Sequence, residues 1–183
     1  MTNNNLYRMM MTALFAAIIG ILAQITIPLP LIPITGQTLA VGLAATILGS
    51  RLGTVATLLY IAMGAVGIPV FAQMTGGLGV VFGPTGGFIV GFIPTAFIIG
   101  LYIEKTAPTI LQACIANIIG MFITLAFGAV WLKISANLSW AAALMSSVVP
   151  FLAVGVIKAI LAGWLGILIR KRLMTANLLV AYK

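Results

Sequence analysis

Few side chains in this chain could do chemistry, and two of them stand alone in apolar surroundings. Lys158 lies inside the run 148–169, which holds no other charged residue. The whole chain has one acidic residue, Glu104, against nine Lys and Arg. A cation at the centre of a membrane helix costs about 2.5–3.5 kcal/mol on insertion scales. It must snorkel, draw in water, or take its counter-charge from an anion outside the chain. Asn117 sits in the run CIANIIG at 114–120. An amide both donates and accepts, so it can bond a neighbouring helix or recognise a ligand amide or urea. At about 1.5 Å per residue, Asn117 rises roughly 14 Å from position 108 and Lys158 descends roughly 15 Å from position 148. A cation and an amide at matched depth on successive antiparallel helices are expected to form two walls of one pocket.

The elements that must hold these residues follow from composition. Apolar residues make up 63% of the chain and charged residues 5%, whereas soluble domains carry about 25% charged residues. This implies an all-α polytopic membrane protein, with a single transmembrane domain over 1–183. Clusters of Pro, Gly and charge divide it into six transmembrane helices, expected over 9–27, 37–48, 54–66, 84–103, 108–132 and 148–169. A short interfacial helix is expected within 135–147. The polar segment 1–8 leads into an apolar run without a small-residue cleavage site, so the first helix reads as retained and not as a signal peptide. With the N-terminus in the cytoplasm, Arg8, Arg51, Lys105, Arg170, Lys171, Arg172 and Lys183 fall on the inner side and only Lys133 on the outer. That bias is the positive-inside pattern and favours an even number of spans with both termini cytoplasmic. The net charge of +8 therefore reads as topology and not as a nucleic-acid surface.

Two connections, 28–36 and 67–83, face outward without charge and are rich in Pro, Gly and apolar residues. They are expected to fold back and roof a cavity; the alternative is a packing role alone. Gly83, Gly87 and Gly91 recur every four residues, which lets another backbone or a ligand come close. For Gly87 and Gly91, tight helix packing is an equal alternative, while the loop 71–86 is expected to touch ligand. The helix start after Pro84 offers backbone N–H groups to an acceptor oxygen. Ala13 and Ala17 form a small-xxx-small pair, for internal packing or for docking another membrane subunit. The lone Cys114 reads as a small packing residue. The chain has no phosphate-binding P-loop motif and no His. With one acid it offers no general acid–base pair, no catalytic triad, no metal cluster and no proton relay. A binding or transport subunit remains, driven by a partner if transport is active.

Four segments carry a family resemblance: PLIPITGQT at 30–38, GIPVFA at 67–72, GPTGGFIVGF at 83–92 and PFLAVGVIK at 150–158. With them the sequence resembles the BioY family, the biotin-specific S components of energy-coupling factor (ECF) transporters. The resemblance implies that Lys158 meets the biotin carboxylate. It implies that Asn117, Gln73 and groups of Gly83, Thr85 and Gly86 meet the ureido ring, and that Phe71 and Phe82 cover the apolar ring. The two polar ends could be exchanged between these groups. Ala13 and Ala17 look like the pair with which S components dock on their coupling subunit. The implied setting is the plasma membrane of a prokaryote, with that subunit and two ABC-type ATPases as partners and biotin as cargo, with no cofactor. An S component for another vitamin, such as thiamin or riboflavin, and a solitary biotin facilitator are the alternatives. One departure stands out. The family pattern often carries an acid three residues before the lysine, and here that position is Gly155.

Overall fold

The computed structural model describes residues 2–176, with side chains from Asn5 onward. Lys183, counted above among the inner charges, lies outside the described residues. The architecture is helical, and five helical stretches among the described residues are long and apolar enough to cross a membrane. Helix α1 spans Thr2–Leu22. It starts earlier than the expected 9–27 because no Pro or Gly interrupts the chain before Gly20. It stops earlier because Gln24 turns back on it, its Nε2 donating to the Gly20 carbonyl at 2.9 Å. A two-residue hairpin follows, with β1 (Thr26–Ile27) antiparallel to β2 (Ile34–Thr35).

Helix α2, Gln37–Ala65, is the centre of the bundle and packs against α1, α4 (Gly86–Lys105) and α7 (Val149–Thr175). The sequence reading separates it into two helices with a loop at 49–53, but the break is a single residue. Gly49 has φ 83° and ψ −174°, a conformation open in practice only to glycine. The chain doubles back there. A Cβ on Gly53 would lie 2.8 Å from Cα of Ala45, whereas residues eight apart in a straight helix are separated by about 12 Å. The two arms, 37–48 and 50–65, are roughly 18 and 24 Å long.

Turning a helix inside an apolar medium strands carbonyls at one end and N–H groups at the other. Both sets find partners. Ser50 donates its N–H to Oε1 and its hydroxyl to Oε2 of Glu104, each at 2.7 Å. Arg170 donates Nη1 to the carbonyls of Thr46 and Ile47 at 3.0 and 2.9 Å. An anion thus meets a helix start and a cation a helix end, the arrangement that the helix dipole favours. Arg170, read from sequence as one of the inner flanking charges, is buried at 4% exposure. Gly100 of α4 lies directly on the turn, where a Cβ would collide with the Ser50 nitrogen.

The later long helices follow the sequence reading closely, while a short helix forms within the expected loop 67–83. A short α3 (Leu78–Phe82) precedes α4, and α5 runs Ile110–Ser135. Thr109 and Ser139 cap α5 and α6 (Trp140–Ser147) through their hydroxyls. The turn at Gly49 generates a prediction. Gly49→Ala should destabilise the purified protein by about 1–3 kcal/mol, read as a lower thermal midpoint in detergent. Gly79→Ala, in open space with an unstrained backbone, should stay within about 0.5 kcal/mol of the parent.

Candidate ligand-binding site

The two uncharged loops and helices α2, α4, α5 and α7 enclose a cavity of about 330 Å³, within the range of small-molecule sites. Both loops line it, 28–36 through residues such as Ile32 and Thr35, and 67–83 through Phe71, Gln73 and Val80. The expected roof is therefore present. Lys158 and Asn117 line the same space, as their matched depth implied.

Lys158 reaches from α7 to the roof, where its Nζ donates to the Thr35 carbonyl at 2.7 Å. An ammonium has three N–H donors, and this bond uses one. Glu104 bonds Ser50 with both carboxylate oxygens, and no carboxylate pairs with Lys158 among the described residues. The position that the family pattern gives to an acid, Gly155, also lines the cavity. A Cβ there would lie 2.6 Å from Sδ of Met121, so a thioether occupies the space.

Asn117 is 4% exposed. Its Nδ2 donates to Thr46 Oγ1 and to the Ala113 carbonyl, both at 2.9 Å. Both amide hydrogens are thus committed to protein, and what the side chain can offer a ligand is its Oδ1 as acceptor. Gly42 makes room for that oxygen, which an added Cβ would strike.

The aromatic wall differs from the sequence reading. Phe71 is 1% exposed; its ring fits against Gly64 and meets Tyr60 edge-on, with centroids 5.6 Å apart. It lines the cavity as a fixed wall. Phe82 does not line it and is 68% exposed, because the short helix α3 turns it outward. Phe88 and Phe151 stand in its place, stacked at 5.9 Å, with Phe92 beside them. Gly83 and Thr85 line the cavity, but Gly86 does not. A Cβ on Gly86 would run into the Val81 carbonyl, so this glycine serves packing. Gly87 and Gly91 likewise face Trp131 and Phe127 of α5, which selects the packing alternative. Within 83–86 the N–H of Gly83 goes to Val80 and that of Gly86 to the Gly83 carbonyl. Only the Thr85 N–H of this stretch lacks an acceptor among the described residues. Gln73 lines the cavity with a left-handed backbone, φ 58°.

Sequence reasoning missed Gln37. It lines the cavity, 6% exposed, and bridges two groups. Its Nε2 donates to the buried Tyr60 hydroxyl at 2.5 Å, and its Oε1 accepts from the Thr35 hydroxyl at 2.7 Å. It thereby braces the residue whose carbonyl holds Lys158. The signal was available: an amide opening an apolar helix, within the motif PLIPITGQT. Far from the cavity, Ala13 and Ala17 lie exposed along α1, while Phe15, Ala16 and Ile19 face inward.

Fold and site together define a helical membrane protein with a small-molecule-sized cavity between an apolar wall and one ammonium. Known proteins narrow this class. The profile described as BioY family matches residues 1–175. The chain is 41% identical over 177 residues to a biotin transporter BioY2 of Lactococcus lactis subsp. cremoris, covering 97% of each. It is 37% identical to a biotin transporter BioY of Rhizobium etli, covering 86% of this chain and 90% of that one. A crystal structure of the S-component for biotin from an ECF-type ABC transporter superposes with a TM-score of 0.87 at 28% identity, covering 93% of this chain and 94% of that one. The chain belongs to the BioY family.

The Asn117 contacts set the prediction for the ligand-free protein. Thr46→Val keeps the shape but removes one acceptor, and should cost about 0.5–1.5 kcal/mol of stability. Asn117→Ala removes both bonds and leaves buried partners behind, and should cost about 1–3 kcal/mol. Thermal unfolding of both purified variants checks the order.

Proposed function

We propose that this chain is the biotin-binding subunit of an ECF-type vitamin importer. The observation that carries the reading is Lys158, a cation with one donor on the Thr35 carbonyl and no carboxylate partner among the described residues, at the edge of an apolar cavity. A ligand carboxylate there would make charge-assisted bonds about twice as strong as neutral ones. The apolar wall of Phe88, Phe92 and Phe151 suits a saturated sulfur ring and its alkyl chain. Asn117 Oδ1 accepts from the ureido N–H groups, and the Thr85 N–H and the Gln73 amide donate to the ureido carbonyl. The relatives named biotin transporters, and the biotin S-component of like fold, support biotin as the cargo.

The chain is a transport subunit and not an enzyme, and biotin passes through it as cargo and not as a cofactor. It crosses the plasma membrane of a prokaryote six times, the two arms of α2 counting as separate crossings, with both termini cytoplasmic. The bias of the exposed cations Arg8, Arg51, Lys105, Lys171 and Arg172 supports that orientation. A transmembrane coupling subunit docks on the exposed face of α1 at Ala13 and Ala17. Two ABC-type ATPases joined to it supply the energy, and biotin bound outside is released inside.

Lys158→Gln tests the charge. Removing one partner of a buried charge pair costs about 2–5 kcal/mol, so the Kd for biotin should rise at least about 30-fold. The Kd for biotin methyl ester should change far less. Equal losses for acid and ester would make Lys158 structural, and a parent protein that binds no biotin would end the reading. Ala13→Leu with Ala17→Leu tests docking separately. Biotin affinity should hold within about twofold while co-purification with the coupling subunit drops; the reverse pattern would remove α1 from the interface.

A further inference from the structure

The wall segment 71–75 is held in an unfavourable backbone shape by a residue outside the cavity. Gln73 and Met74 both have positive φ, 58° and 55°, and neither is glycine. Such conformations cost side-chain-bearing residues about 1–3 kcal/mol each and persist only where surrounding contacts enforce them. The enforcing residue is Gln24, half-buried just beyond the end of α1. Its two Nε2 hydrogens are shared among three carbonyls, those of Gly20 at 2.9 Å, Phe71 at 3.0 Å and Val70 at 3.3 Å. Its Oε1 accepts the Met74 N–H at 2.9 Å. One amide thus grips both sides of the left-handed turn. Within the turn only the Phe71 N–H to Thr75 carbonyl and the Thr75 N–H and hydroxyl to Ala72 carbonyl bonds assist it. Gly20 lets the segment sit close, since a Cβ there would lie 3.3 Å from Val70 Cβ. Phe71, Ala72, Gln73 and Thr75 all line the cavity, whereas Gln24 does not.

We infer that Gln24 is a positioning residue for the ligand site, holding the strained wall 71–75 in the shape that retains ligand. It touches no ligand and acts through the backbone it grips. The ligand arm of the test rests on the biotin reading; the hydrogen-exchange arm does not.

The test uses the full chain in lipid nanodiscs. In Gln24→Ala the Met74 amide loses its acceptor and the turn that holds the Thr75 N–H on the Ala72 carbonyl loosens, so both amides should exchange with solvent at least about tenfold faster. Biotin dissociation should quicken about tenfold, the equivalent of about 1.4 kcal/mol, with association changed less than about twofold. Gln24→Met keeps the length of the side chain but loses both its donors and its acceptor, and should speed exchange and release about as much as Gln24→Ala. This second variant carries the comparison if Gln24→Ala does not fold. Met74→Gly, at an exposed residue outside the cavity, removes part of the strain. Added to Gln24→Ala, it should return dissociation to within about threefold of the parent. A merely structural glutamine would show no such rescue. Unchanged exchange at 71–75 in Gln24→Ala overturns the proposal whether or not biotin binds. So does a double variant that releases biotin as fast as Gln24→Ala alone. A parent that binds no biotin sinks the functional reading, and exchange still decides the role of Gln24.

Discussion

The turn at Gly49 is the constraint from which the rest of the molecule follows. Backbone groups without partners are costly in an apolar medium, and a helix that reverses direction exposes them at two ends at once. Here the one acidic residue of the chain takes the N–H end and a buried arginine takes the carbonyl end. With the turn satisfied, the two arms of α2 lie side by side, and the start of the first arm comes level with Tyr60 of the second. The Gln37 bond to Tyr60 depends on that alignment. So does the position of Thr35, whose carbonyl meets Lys158, and that of Thr46, which meets Asn117. The cavity is therefore arranged by a polar cluster that is not part of it.

Its chemistry is sparse for the same physical reason. Every buried polar group needs a partner, so most of those present are already engaged by protein. Asn117 has given up its hydrogens, the Gly83 carbonyl accepts from Trp131 at 2.9 Å, and Gln37 is bonded at both ends of its amide. What remains for a ligand is small: the rest of the Lys158 donors, the Asn117 amide oxygen, the Gln73 amide, one loop N–H, and apolar surface. A site with few unused groups selects by what it leaves unpaired when the wrong ligand enters.

Much of this was legible in the sequence. The apolar composition gives the helical membrane class, and Pro and Gly clusters give most helix ends. The isolation of Lys158 and the depth of Asn117 place both on one cavity. What was not legible depends on side-chain direction and on long-range pairing. Phe82 turns outward because α3 is a separate short helix, which a glycine-rich stretch does not announce. Arg170 stands beside Lys171 and Arg172, and composition alone cannot tell a buried cap from two exposed neighbours. Gly86, Gly87 and Gly91 are spaced as well for a ligand as for α5, and only the positions of Trp131 and Phe127 decide. Gln24 carries no pattern at all; its role exists only once the loop returns to it.

The Arg170 bonds also have a consequence for biogenesis. Arg170 follows Thr46 by 124 residues and Ile47 by 123, whereas Glu104 follows Ser50 by 54. A ribosome delivers the chain from its N-terminus, so the reversal at Gly49 is made long before the guanidinium that completes it. The carbonyl side of the turn stays without that partner until α7 arrives. A nascent chain cut short before Arg170 would hold all the earlier helices and still lack the residue that closes the second. Insertion of α7 is thus the step that seals α2, and the bundle's centre is completed from the far end of the fold.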